Sequence, residues 1–382
     1  MFNEKLVMIP GPTPVVKEIR DEMAREVQAF GDPRFVADFK AVIDGLGKML
    51  NCSGKTFVVA GTGTLAMEMA IANSTKRGDR VLIVSHGFFG DRFVDICKRK
   101  GVEADVIRSE WGRIVPVSQI EEQLSRHRYA VMTVTHVDTS TGVCAPIAEI
   151  GEMMRKFPDT IYIVDGVCAT GAEFEDVDGM NVDILFTGTQ KAFGVCPGLL
   201  MLWAGKKALA RRDALGETIP EYYCDFHKWL PTMDDPFNYF ATPAVNLVWA
   251  LKKSMELIER EGGLKARDVR MRKNALAMQA AFEELGLKAL AEPCSRAITL
   301  SNLIYPEGID DARFRSELSG EGVMVAGGLA AYAGKMFRIG HMGNIDVNTG
   351  VVVLGAIERT LEKLGQKGKL GAGVAAYLSK MA

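Results

Sequence analysis

Short apolar runs alternate with longer amphipathic segments through the first two thirds of the 382-residue chain. "TFVVA" (56–60) precedes the helical pattern "LAMEMAIANSTK", and "RVLIVS" (80–85) precedes "FGDRFVDICKRKG", where Phe93, Ile96 and Cys97 recur at helical spacing. "AVMTVT" (130–135) leads through a loop to "IAEIGEMMRKF". "IYIVD" (161–165), "DILFT" (183–187) and "LLMLWA" (199–204) follow. Strands that read as continuous apolar runs between helices predict a parallel sheet covered on both faces. The first part of the chain is therefore expected to be an α/β doubly wound unit.

The pattern changes near residue 255. "LVWALKKSMELIEREGG" is a long charged helix that ends in a Gly-Gly stop, and "DVRMRKNALAMQAAFEELG" is a second amphipathic helix. "AITLSNLIYP" and "KMFRIGHMG" read as strands, and "TGVVVLGAIERTLEKLG" as a last helix. The expected organisation is an N-terminal segment (1–20), a large α/β domain (21–255) and a small α+β domain (256–382).

Composition narrows the function classes. With 46 basic and 48 acidic residues, no electrostatic case exists for nucleic acid or an anionic membrane. The cluster "KKALARR" (206–212) is expected to be a solvated helix face. Seven scattered cysteines without a Cys/His metal spacing predict reduced thiols, a cytoplasmic setting and no metal site. The start "MFNEKLVMIPGPTP" lacks the apolar region of a signal peptide. No apolar stretch is long enough to span a bilayer, and the ending "SKMA" does not match the peroxisomal Ser-Lys-Leu signal.

The distinctive polar residues fall where the predicted strands end, which is where open α/β sheets bind ligands. "AGTGTLAMEMA" (60–70) runs from a strand through Gly61–Thr64 into a helix, a turn whose N–H groups suit phosphate. A Gly-rich turn is also often only a turn. "CSGKT" (52–56) carries the Gly-Lys-Thr ending of a nucleotide-binding P-loop. It has Met49 where that motif needs glycine, and it precedes its strand, so the P-loop reading fails. Asp165 ends an apolar run, where a carboxylate needs a cationic partner unless it merely caps a turn. Lys191, in "TGTQKAFGVCPG", follows the next strand. "THVDTSTGV" (135–143) is dense in hydroxyls, and "SHGFFGDRF" (85–93) places Phe88 and Phe89 after another strand. A phosphate cradle, a lysine, a carboxylate, hydroxyls and an aromatic ring suit pyridoxal phosphate. The lysine bonds the cofactor, the carboxylate keeps the pyridine nitrogen protonated, and the aromatic side chain stacks on the ring.

"VDGVCATG … GTQKAFGVCPGL", with "IPGPTPV" near the start and "FRIGHMG" near the end, resembles the class V aminotransferases among the fold-type I pyridoxal phosphate enzymes. The nearest resemblance is to the alanine–glyoxylate / serine–pyruvate aminotransferases. It implies a mostly parallel central sheet covered by helices, with a smaller C-terminal α+β domain. It assigns Lys191 to the covalent attachment of pyridoxal 5′-phosphate and Asp165 to its pyridine nitrogen. Thr62, Gly63 and Thr64 would hold the phosphate with Gln190. Phe89 and Val167 would cover the two ring faces, and Thr139 would place a hydroxyl near the phenolic oxygen. Tyr239 and Thr242, in "YFAT", would reach the phosphate of a second subunit, making the enzyme a homodimer. Arg338 would grip the substrate carboxylate, with Gly11 beside the substrate. Without that resemblance, Arg338 would read as a surface strand arginine.

Two features depart from the family pattern. Phe89 stands where a tryptophan is common. "AFGDPRF" (29–35) has Gly31 and Asp32 near the place of a common His-Arg pair, at the substrate entrance of relatives. The implied reaction moves an amino group from a small amino acid of the alanine or serine type to glyoxylate or pyruvate, by ping-pong kinetics. The alternatives are a 2-aminoethylphosphonate-type transaminase and a cysteine desulfurase or other lyase of the same fold. A catalytically silent relative is a further alternative, against which stand the retained Lys191 and Asp165.

Overall fold

The computed structural model describes residues 5–382. Seven strands form the central sheet: β1 (Lys55–Gly61), β2 (Arg80–Ser85), β3 (Glu103–Arg108), β4 (Val131–Thr135), β5 (Ile161–Asp165), β6 (Ile184–Gly188) and β7 (Gly198–Ala204). Their spatial order is β1-β7-β6-β5-β4-β2-β3. The expected runs all form strands because Val, Ile, Leu and Phe buried on both faces leave nothing to gain from a helix. All five residues of β4, β5 and β6 are buried.

The sheet is mostly parallel, as expected, and one strand departs from the all-parallel reading of the apolar runs. β7 is antiparallel to both β1 and β6. The reason lies in the connection: only residues 189–197 join β6 to β7, and a parallel crossover needs about a dozen residues or more. The reversal puts the start of β7, not its end, at the edge where β1, β2, β4, β5 and β6 finish.

Helices cover the sheet, among them Gly63–Ser74 after β1 and Phe88–Lys100 after β2. Pro33–Met49 is a long helix that the apolar-run reading leaves unassigned. Asp32 accepts from the Arg34 N–H at its start, Pro33 follows at the first helical position, and Phe35, Phe39, Val42 and Leu46 face the core. The cluster 206–212 also needs correction. It lies on the helix Lys206–Ala214, yet its cations are not simply solvated. Arg212 is buried against Asp225, while Lys207 and Arg211 pair with Asp183 and Asp79.

Beyond the helices Val245–Glu261 and Gly263–Glu284, a second sheet forms from β8 (Lys288–Ala289), β9 (Leu300–Ile304), β10 (Ala326–Gly327) and β11 (Met336–Gly340), in the order β8-β9-β11-β10. The turn between the two helices uses Gly262 and Gly263, at φ +108° and +82°, where a side chain would be strained. The helix Val347–Lys363 packs on this part, and its Asp346 and Thr349 form a reciprocal cap. Leu6–Val7 pairs with Val323–Met324, so the N-terminal segment is tied to the C-terminal part of the chain. Among the described residues, no helix is long and apolar enough to cross a membrane.

Candidate active site

Five strand ends of the central sheet open onto one cavity of about 340 Å³. Its wall includes Gly11, Thr62, Gly63, Thr64, Phe89, Thr139, Asp165, Val167, Gln190 and Lys191, ten of the residues expected from the sequence. Each arrives by a simple route. Thr62–Thr64 follow β1, Phe89 lies just beyond β2, Asp165 ends β5, and Gln190–Lys191 lie just beyond β6. β5 and β6 are direct neighbours, which is why Asp165 and Lys191 meet although 26 residues separate them in sequence.

Asp165 has the most demanding environment. It is 4% exposed, and its one side-chain hydrogen bond comes from the Val167 N–H at 3.0 Å. Burial pushes its pKa up to about 7, and the nearby Asp138 adds to that. The Val167 N–H, Lys191 and Arg92 oppose the shift without cancelling it. No ion pair offsets the charge among the described residues. A buried carboxylate on a cavity wall with this deficit is suited to a cationic N–H supplied from the cavity.

Lys191 Nζ donates to the carbonyl of Pro10. The adjoining Gly11 sits at φ +113°, and a Cβ there would stand 2.5–2.8 Å from Lys191 Cδ, Cε and Nζ. Only glycine leaves that space to the lysine. A similar constraint applies at Gly63, where a Cβ would meet Val167 Cγ2 at 2.6 Å.

The two helices that start at the cavity differ in their ends. Phe88–Lys100 is capped from a distance: Asp138, on a neighbouring hairpin, accepts from the N–H groups of Phe89 and Gly90 at 3.0 and 3.1 Å. Burial raises the Asp138 pKa, against the pull of the donors from Ser140, Gly90 and Phe89. Gly63–Ser74 has no side-chain cap, so its first N–H groups remain available to an anion. Thr64 Oγ1 accepts from Arg92 Nη1 at 2.9 Å, which brings a cation to the same place. Two buried polar atoms on the wall, Thr135 Oγ1 and Gln190 Oε1, lack a hydrogen-bond partner.

Three expected residues lie elsewhere. Arg338, on β11, is half-buried and does not line the cavity. Its Nε donates to Gly327 O at 2.8 Å and its Nη1 to Thr139 O at 3.4 Å, so it reaches the cavity wall through the Thr139 backbone. Burial lowers its pKa, while Cys168 and Asp138 oppose that. Tyr239 is 59% exposed and hydrogen-bonds Thr242 at 3.2 Å, away from this chain's own cavity. The departure at 29–35 is a helix cap here: Arg34 pairs with Asp32 and remains exposed.

Sequence reasoning missed Arg92, Asp138 and Cys168. Arg92 follows Phe89 by three residues on one helix, so its guanidinium lies 4.9 Å from that ring. That spacing was a usable signal. Asp138 sits among the hydroxyls of "THVDTSTGV", and only the fold shows that it caps a helix about 50 residues earlier.

Comparisons place these features in a family. The family model described as "Aminotransferase class-V" matches residues 20–345. An uncharacterized aminotransferase of Methanocaldococcus jannaschii is 36% identical over 95% of this chain and 94% of its own. An L-aspartate–glyoxylate aminotransferase of Paracoccus denitrificans is 32% identical over 98% of this chain and 96% of its own. The crystal structure of an alanine–glyoxylate aminotransferase from a Nostoc species superposes with a TM-score of 0.90 at 30% identity, covering 94% of this chain and 96% of that one. The chain belongs to the class V aminotransferases, a family of pyridoxal-phosphate-dependent transaminases with the fold-type I architecture.

Proposed function

We propose that this cavity seats pyridoxal 5′-phosphate and transfers an amino group from a small amino acid, of the alanine or serine type, to glyoxylate or pyruvate. The observation that carries the proposal is the convergence of Lys191, Asp165 and an uncapped helix N-terminus on one wall. These residues fit the cofactor. Asp165 lacks a cationic partner, the open helix end and Arg92 suit a phosphate, and Phe89 and Val167 offer apolar cover for a ring. Bound there, pyridoxal phosphate supplies an electron sink for the pair left when a proton leaves the substrate Cα.

The chain's own groups do the rest. Lys191 Nζ would hold the cofactor at rest, take the substrate Cα proton and return it two bonds away, on the cofactor side of the transferred nitrogen. Asp165 keeps the pyridine nitrogen protonated. Arg338 binds the substrate carboxylate by its remaining Nη2, since Nε and Nη1 are engaged. Thr139 and Gln190 orient the ring substituents. Tyr239 and Thr242 complete the phosphate site of a second subunit, so the working unit is a homodimer. The chain would divide into a segment 1–20, a large cofactor unit 21–255 and a small unit 256–382.

Small substrates fit the space: about 340 Å³ is near the lower end for small-molecule sites, and here it must also hold the cofactor. Glyoxylate is the shared acceptor in the names of the Paracoccus and Nostoc proteins, while the donor differs. The test is a panel of half-reactions on cofactor-loaded protein, following loss of the cofactor absorbance on adding alanine, serine, aspartate or 2-aminoethylphosphonate. Alanine or serine should react fastest. A clear preference for the phosphonate would replace this reading.

A further inference from the structure

Behind the cavity wall lies a cluster that transamination does not use. His136 follows β4, Cys144 lies on the return strand of the hairpin Val137–Asp138/Val143–Cys144, and Glu173 lies in the segment after β5. One ligand atom from each falls within 4.8 Å of the others, and this is the one such His/Cys/acid group among the described residues. Cys144 Sγ is 3.5 Å from one Glu173 oxygen and 3.8 Å from the other, and His136 Nε2 is 3.8 Å from Glu173 Oε2. A tetrahedral ion with bonds of about 2.0–2.3 Å to N, O and S sets its ligand atoms roughly 3.3–3.6 Å apart. Glu173 already stands within a few tenths of an ångström of those separations from both Cys144 and His136, and all three ligand atoms lie within 4.8 Å of one another.

A second observation points the same way. His136 Nδ1 lies 2.6 Å from Glu175 Oε1, which turns Nε2 toward Cys144 and Glu173. A carboxylate on the far nitrogen is the usual support of a metal-bound histidine. Glu175 is 1% exposed, and its other oxygen has no partner. Two buried carboxylates at one imidazole exceed what a structural histidine needs.

We propose that His136 Nε2, Cys144 Sγ and a Glu173 oxygen bind one divalent, borderline-soft cation of the zinc type, with Glu175 holding the His136 ring. Binding releases the Sγ proton of Cys144, and the Nε2 proton where His136 carries one. The dication then offsets most of the charge of the thiolate, Glu173 and Glu175, and the adjacent Arg272, which also pairs with Asp268, offsets part of the remainder. Arg272 is half-exposed and 3.4 Å from Glu173 Oε2, so it can yield that oxygen. The ion would join the hairpin that carries Asp138 and Thr139 to the segment that carries Val167. It would act as a structural staple, and it does not depend on what the cavity holds.

The test uses full-length, untagged protein stripped with a chelator and then exposed to Zn²⁺ or Co²⁺. Metal per chain is measured by mass spectrometry, and cobalt–thiolate absorption reports the sulfur. One ion per chain is expected, with a thiolate band that Cys144→Ser removes and Cys294→Ser, at an exposed thiol, leaves intact. Glu175→Gln should weaken affinity by roughly 10- to 100-fold, with circular dichroism confirming the fold of each variant. This second variant decides the matter if Cys144→Ser does not fold. No ion retained, a thiolate band that survives Cys144→Ser, or unchanged affinity in Glu175→Gln would overturn the proposal.

Discussion

Gly11→Ala tests the packing around Lys191 without removing any polar group. The new Cβ would lie 2.5 Å from Lys191 Cδ, 2.7 Å from Cε and 2.8 Å from Nζ. Ordinary carbon contacts are about 3.5–4.0 Å, so the lysine must retreat by roughly 1 Å. Its far end is flexible, and the retreat itself costs little stability. The φ of +113° adds strain of about 1–3 kcal/mol for a residue with a side chain. In the proposed mechanism the functional cost is larger, because Nζ must stand at the reacting carbon. A misplacement of about 1 Å can cost on the order of 10²-fold in rate. The assay is single-turnover decay of the cofactor absorbance at saturating donor, with thermal unfolding measured in parallel. A half-reaction at the wild-type rate in folded Gly11→Ala protein would refute the crowding argument and the role given to Lys191 Nζ.

Asp165 links stability to pH. In the cofactor-free protein its folded pKa, about 7, lies above the usual carboxylate range, so the folded state binds the extra proton. Stability therefore falls as pH rises from about 4 to 7, by an upper limit of ~4 kcal/mol. Cofactor-free Asp165→Asn should lack that slope and melt higher than wild type at pH 8; parallel melting curves would contradict this. The same variant should bind pyridoxal phosphate more weakly, as read by titration of the bound chromophore. Arg338→Lys keeps the charge but loses the Nε and Nη1 hydrogen bonds to Gly327 and Thr139 that hold the group in place, and should raise KM for the amino donor roughly 10- to 100-fold with a smaller change in kcat; an unchanged KM would move the carboxylate site elsewhere. Asp225→Ala strips the partner from Arg212, which is 3% exposed. It should cost about 3–5 kcal/mol in urea unfolding, whereas a loss under ~1 kcal/mol would mean that water reaches the pair.

The central sheet was legible because its strands are unbroken apolar runs. The direction of β7 was also legible in principle, from the shortness of residues 189–197. Lys191, Asp165 and the Gly61–Thr64 turn could be read because each directly follows or ends such a run. Arg338 was harder. It lies on the second sheet, and among the described residues its hydrogen bond to the first part of the chain goes to the Thr139 carbonyl, a contact without local signature. Asp138 looked like one more polar residue in a hydroxyl-rich loop until the fold showed it against the helix Phe88–Lys100. Arg212 looked solvated because a run of cations gives no sign of which one turns inward. His136, Cys144 and Glu173 fit no linear metal motif, since three separate segments bring them together.

The central claim is that Lys191 carries the cofactor. Borohydride reduction of pyridoxal-phosphate-loaded protein, followed by peptide mass spectrometry, tests it directly. The account predicts a reduced pyridoxyl group on Lys191 and none in Lys191→Ala. Stoichiometric label on another lysine, with Lys191 unmodified, would contradict it.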